Sequence, residues 1–235
     1  MHKTLLIIFL FSLSLAADDL QKSFEKADRA RDLNHRLLRA IATHESGLNS
    51  CVVGFVLKDQ NIVAAADVDL KSSPVKYKKS PYKKWAHYSL SFKSVHEAKL
   101  AIPWLEKVTA ASTGFDIGLM QINSRNAHHN RWDIGRLIED PEYNIDKGAQ
   151  ILSECRQRFH SDPPKTLECY NKGTKTANFD YQYYSSVFSK YMGKPVQAPN
   201  TIRVVMNQDT KKKKIAQADK EFILPREYGV GRTLF

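Results

Sequence analysis

The residues that could do chemistry begin with a glutamate at the end of an apolar helix. In Ala40-Ile41-Ala42-Thr43-His44-Glu45-Ser46-Gly47 the acid follows Leu37, Leu38, Ile41 and Ala42, which recur at helical spacing. Asn34 is placed to cap the start of this helix, and Gly47 to end it in a left-handed turn. Glu45 then falls in the last turn, one turn beyond Ile41 and on the apolar face. There the negative end of the helix dipole and the loss of water both disfavour the carboxylate. A carboxyl that keeps its proton near neutral pH is what a general acid requires. The same stretch also reads as a solvated glutamate ahead of a C-capping glycine.

A second polar group lies in Gly114-Phe115-Asp116-Ile117-Gly118-Leu119-Met120-Gln121-Ile122-Asn123. Its two glycines frame a loop whose backbone can approach a ligand. Gln121 and Asn123 bring amides suited to sugar hydroxyls and acetamido groups. The plainer reading is the start of a buried amphipathic helix. Asp116, beside the glycines, is a candidate second carboxylate or a structural acid. No CxxC or HxxxH spacing occurs, so the sequence predicts no metal site.

Several elements must position these groups. Residues 18–32 are charged, with Leu20 and Phe24 at helical spacing, and read as a surface helix. Val52 to Leu57, a turn at Asp59-Gln60-Asn61 and Ile62-Val63-Ala64 read as a β-hairpin. Lys71 to Trp85 carries six lysines and no acid, with Tyr77, Tyr82 and Trp85 among them. It reads as a solvated loop, or as a surface for nucleic acid or anionic sugar polymers. Ser94 to Thr109 reads as one amphipathic helix. Asp140-Pro141 starts another, with Ile145, Ala149, Leu152 and Phe159 on its core face. Leu167 to Gly173 reads as a short helix ending at glycine. Asn178 is the expected cap of a last helix through Tyr184, Val187, Phe188 and Tyr191.

The chain has 235 residues and a formal charge of +11. That length suits one domain with extensions, and the charge points to an anionic partner or surface. His2 and Lys3, the apolar run to Leu15 and the small-x-small Ser14-Leu15-Ala16 read as a secretory signal over 1–16; a retained anchor is the other reading. Beyond Pro195 the chain loses periodicity and is rich in lysine and arginine, so 195–235 reads as a basic, flexible extension. Three cysteines in an exported chain suggest one disulfide and one spare thiol. Cys155 and Cys169 on consecutive helices are the better pair, worth ~3 kcal/mol of unfolded-chain entropy. Pairings that involve Cys51 stay open.

Four segments in order resemble the soluble lytic transglycosylase domain. Glu45-Ser46-Gly47, Gly118-Leu119-Met120-Gln121, Cys169-Tyr170-Asn171-Lys172-Gly173 and Tyr184-Ser185-Ser186-Val187 are similar to the family's E-S-G, G-L-M-Q, A-Y-N-x-G and Y-x-x-V. Asp140-Pro141, Asn144 and Gly148-Ala149 fall where the family has D-P-x-x-N-x-x-x-G-A. The resemblance runs from Asn34 to about Gly193. The long gap between Glu45 and Gly118, and Phe115-Asp116 in place of the usual G-A, are similar to the branch attached to type IV secretion and conjugation machines. So are Glu97-Ala98 and the cysteine beside the Y-N-x-G motif.

The resemblance implies a mainly α (α+β), lysozyme-like domain over 17–194 with a small β-hairpin insert and a groove for peptidoglycan. It implies cleavage of the β-1,4 bond between N-acetylmuramic acid and N-acetylglucosamine with closure of a 1,6-anhydro ring. Glu45 would be the acid, and Tyr170 would hydrogen-bond and orient its carboxyl. Ser46, Gly118, Met120, Gln121, Asn123, Asn171 and Tyr184 match groove or support positions. The reaction would need no metal or cofactor. The partners would be glycan strands in the periplasm and components of a secretion apparatus, not nucleic acid. Two alternatives are a hydrolytic lysozyme using Glu45 and Asp116, and a wall-binding assembly factor.

Overall fold

The computed structural model describes residues 18–82, 85–173 and 179–197. The expected signal segment 1–16, Asn178, and 198–235 of the basic extension lie outside the described residues.

Helix α1 covers residues 18–31 and is more than a surface helix, because Phe24 is fully buried and Ala27 nearly so. Helix α2, His35–Glu45, starts where Asn34 accepts hydrogen bonds from the backbone N–H groups of Arg36 and Leu37. Leu37, Leu38, Ile41 and Ala42 are buried, so α2 runs through the core and delivers Glu45 at its end.

Strand β1, Val52–Leu57, is followed not by the second arm of a hairpin but by helix α3, Gln60–Ser72. Asp59 decides this. Its side chain accepts from the N–H groups of Asn61 and Ile62, making it a helix cap rather than a turn residue. Val63, Ala66 and Leu70 then repeat at i, i+3 and i+7 and bury one face. The hairpin lies later in the chain. Strands β2, Lys76–Tyr82, and β3, Trp85–Ser91, pair in antiparallel register with Tyr82 opposite Trp85. Residues 76–82 of the lysine-rich segment therefore form an edge strand where a loop was expected. Alternation explains why the charge is tolerated: on β3 Ala86, Tyr88 and Leu90 are buried while their neighbours are half-exposed.

The expected single helix over 94–109 is two, α4 Val95–Leu100 and α5 Ile102–Thr109, broken at Ala101 ahead of Pro103. Proline near the start of α5 has no N–H to continue the preceding helix. Short strands β4, Phe115–Ile117, and β5, Ile122–Asn123, follow, then helices α6, Ser124–His129, and α7, Ile134–Glu139. The five strands form one antiparallel sheet in the order β2-β3-β1-β4-β5.

Helix α8, Pro141–Arg158, begins at the Asp140 cap and buries Asn144, Ile145, Gly148, Ala149, Leu152 and Cys155; Phe159 is only half-buried. Helix α9, Pro163–Lys172, is joined to it by the Cys155–Cys169 disulfide. Helix α10, Gln182–Met192, packs on α2 and α9. Its first turn is held from outside: Glu168, fully buried on α9, accepts from the Tyr184 N–H at 3.0 Å and pairs with Lys172 at 2.7 Å. The result is a mainly α molecule with one small sheet.

Candidate active site

Glu45, half-buried at the end of α2, meets the chain from three directions. The Tyr183 hydroxyl, from α10, donates a hydrogen bond to its Oε1. Asp116, on β4, lies near enough for its charge to act on it. Ser46, the next residue, ties the helix end to the loop over 118–121 by donating to the Leu119 carbonyl at 2.9 Å.

Burial pushes the Glu45 carboxyl up to about 7. The Tyr183 hydrogen bond opposes this by stabilising the anion, and the Asp116 charge adds to the rise. Asp116 is itself raised to about 6 by burial, against a 2.9 Å hydrogen bond from Asn123 Nδ2. Both tyrosine hydroxyls near Glu45, Tyr170 and Tyr183, are held well above their ordinary value, chiefly by burial. His44 packs edge-on against the Tyr183 ring at 5.1 Å, and burial lowers its pKa, so it adds no positive charge beside the acid near neutral pH. The site can thus store a proton on one carboxyl at neutral pH.

Tyr170 does not orient Glu45. Its hydroxyl donates to the Met120 carbonyl at 2.7 Å, and the phenol on the acid is Tyr183. Tyr170 belongs instead to a set of groups that pin the 118–121 loop. Asn144 accepts from the Met120 N–H at 2.8 Å and donates to the carbonyls of Ile117 and Leu137. Gln121 Nε2 donates to Gly118 O at 2.8 Å and Val52 O at 3.2 Å. Gly118 has φ +72, and a Cβ there would lie 2.6 Å from Asn144 Nδ2 and 2.8 Å from the Leu137 carbonyl. Its glycine is required by protein packed against it, not by a ligand. Gly148 on α8 leaves room for the Met120 side chain in the same way.

The expected site residues therefore separate. Glu45, Ser46, Gly118, Met120, Gln121, Asn123, Tyr170 and Asp116 come together. The amides of Gln121 and Asn123 spend their donors inside the protein, on Val52 O and Gly118 O and on Thr113 O and Asp116. Asn171 is exposed on α9. Tyr184 is buried and stacked on Phe188. Tyr183 is the residue that sequence reasoning passed over. The signal available was its neighbour: with Tyr184 on the apolar stripe, the adjacent position is turned about 100° round the helix, toward a different partner.

Residues 85–192 match the transglycosylase SLT domain. That domain is a lytic transglycosylase domain, a lyase acting on peptidoglycan. The SLT match contains the 118–121 loop, Asn144, Tyr170 and Tyr183 but not Glu45, which enters the site through the tertiary fold. No curated protein and no solved structure matches the chain. No helix among the described residues is long and apolar enough to cross a membrane.

Proposed function

We propose that the protein cleaves the β-1,4 bond between N-acetylmuramic acid and N-acetylglucosamine, with Glu45 as the one acid–base group. The observation that carries this reading is the Glu45 carboxyl, raised to about 7 by burial so that it holds a proton part of the time at neutral pH, beside Tyr183 and the 118–121 loop. Glu45 gives its proton to the glycosidic oxygen, and the bond from that oxygen to the muramic-acid anomeric carbon breaks. The substrate's own acetamido carbonyl supports the positive charge that develops there. The Glu45 carboxylate then takes the proton of the 6-hydroxyl, whose oxygen closes on the anomeric carbon as a 1,6-anhydro ring. No water enters, and Glu45 ends protonated as it began.

Asp116 favours a second reading. It faces the same site, and a pair of carboxylates is the ordinary equipment of a hydrolase. A muropeptide digest separates the two by mass: anhydro products are one water lighter than hydrolytic ones. The expected result is anhydro muropeptides from the native chain and none from Glu45→Gln, with wall binding retained. Reducing-end muramic acid alone would overturn the anhydro reading. Unchanged lysis by Glu45→Gln would remove Glu45 from the mechanism, and wall binding without lysis by the native chain would favour a wall-binding assembly factor.

The wider setting is part of the same proposal. Residues 1–16 are an export signal, 17–194 the catalytic domain and 195–235 a basic extension, which puts the enzyme in the periplasm. The insert between Glu45 and Gly118, and Phe115-Asp116 ahead of the loop, support a role in opening the wall for a type IV secretion or conjugation apparatus.

A further inference from the structure

One row of residues leads across the sheet away from the candidate acid. Strand register puts Asp116 of β4 opposite Gly54 of β1, Gly54 opposite Ser89 of β3, and Ser89 opposite Lys78 of β2. Directly opposed residues share a face. The flanking rows on that face bring Ser91 and Lys76 on one side, and His87 and Ser80 on the other. The reverse face holds Phe55, Tyr88, Leu90 and Phe115, all buried. The face with Asp116 is open by comparison: His87, Ser89 and Ser91 are half-exposed, and Lys76 and Lys78 are exposed.

Gly54 joins this face to the catalytic loop. A Cβ at Gly54 would lie 3.0 Å from Gln121 Oε1 and 3.8 Å from His87 Nε2. The loop amide and the β3 imidazole therefore meet over bare backbone, and His87 Nδ1 lies 3.5 Å from Ser80 Oγ on β2. Three strand spacings, about 14 Å, separate Asp116 from Lys78. That is the reach of a few sugar rings along the strand.

The lysines of β2 divide by face. Lys79, on the reverse face, pairs with Asp67 at 2.5 Å. Lys76 and Lys78, on the face shared with Asp116, have no acidic partner among the described residues. A bare glycan strand is neutral and offers them nothing. The peptide stems carried by muramic acid are rich in carboxylates.

We propose that this sheet face extends the substrate groove, with Lys76 and Lys78 holding carboxylates of the peptide stems, so that the enzyme prefers peptide-bearing strands to bare ones. The inference rests on the peptidoglycan reading above.

The test uses the full chain, the K76Q/K78Q variant, and uncross-linked peptidoglycan strands either intact or stripped of their peptides by an amidase. The native enzyme is expected to show a kcat/KM roughly three- to tenfold higher on intact strands, carried by KM, as two exposed ion pairs allow. K76Q/K78Q is expected to lose most of that preference, and added salt to shrink it in the native enzyme. The same ratio in both proteins overturns the proposal. So does a variant that self-associates with its ratio unchanged, since the lysines would then serve only to guard the free β2 edge. Cosedimentation of Glu45→Gln, with and without K76Q/K78Q, reads binding without turnover. Preference for intact strands lost only with the lysines supports the proposal even where digests prove hydrolytic; preference kept by both proteins, or shown by neither, sinks it.

Discussion

At the scale of single residues, the chemistry turns on where one proton sits. As the proposed general acid Glu45 must be protonated to act, so activity should fall about tenfold per pH unit above its pKa of about 7. The same shift has a stability consequence of defined sign. Between the ordinary 4.5 and about 7 the folded chain binds a proton that the unfolded chain has released. Stability is therefore lost as pH rises through that window, by about 3 kcal/mol once both states are ionised. Glu45→Gln should match the native Tm near pH 4 and exceed it above pH 7. Thermal melts across pH check this; parallel curves for the two proteins would contradict it.

The neighbours of Glu45 push its pKa in opposite directions, so their variants should separate. Asp116→Asn removes a negative charge and should move the basic limb of the pH–rate profile down. If Asp116 is only a neighbour, the products remain anhydro. Tyr183→Phe removes the hydrogen bond that favours the anion and should move the limb up, with kcat lowered roughly 10- to 100-fold from lost orientation. Tyr170→Phe acts through the Met120 carbonyl, so it should weaken the loop, on the order of 1 kcal/mol, without shifting the limb upward.

At the scale of elements, the loop over 118–121 depends on α8 more than on its own sequence. Asn144 satisfies one N–H and two carbonyls of other segments in a fully buried position. Asn144→Ala removes all three hydrogen bonds from a buried position and should cost about 3 kcal/mol, with activity falling in step. Denaturant unfolding and kcat measured together test that coupling. Glu168 plays the corresponding part for α10, holding the turn that presents Tyr183. Both residues are buried polar groups whose value lies in what they hold, not in contact with substrate.

At the scale of the whole molecule, the disulfide ties α8 to α9, the helix that carries both Glu168 and Tyr170. It closes a loop of 14 residues, so replacing both cysteines by serine should cost about 2–4 kcal/mol. Neither cysteine touches Glu45. The expected signature is a lower Tm, with activity retained well below it; reductant should lower the native Tm toward the variant's. The sheet adds a second organising feature, since one of its faces is core and the other continues from the 118–121 loop.

Local chemistry was enough to read much of this from the chain itself. Asn34, Asp140-Pro141 and Gly173 mark helix ends because a cap needs only neighbours within a turn. The stripe ahead of Glu45 announced a buried helix because periodicity is local too. Asp59 shows the limit, since an aspartate that accepts two N–H groups serves equally well as a turn or as a cap, and only burial of Val63, Ala66 and Leu70 chose the helix. What the tertiary structure alone decided is which phenol meets the acid and how far the acid is dried. Tyr183 and Tyr184 are adjacent and chemically alike, and the rotation of α10 against α2 sends one to Glu45 and the other to the core. The Glu45 pKa follows from the same packing, because desolvation is a property of everything that surrounds a group, gathered from parts of the chain 138 residues apart.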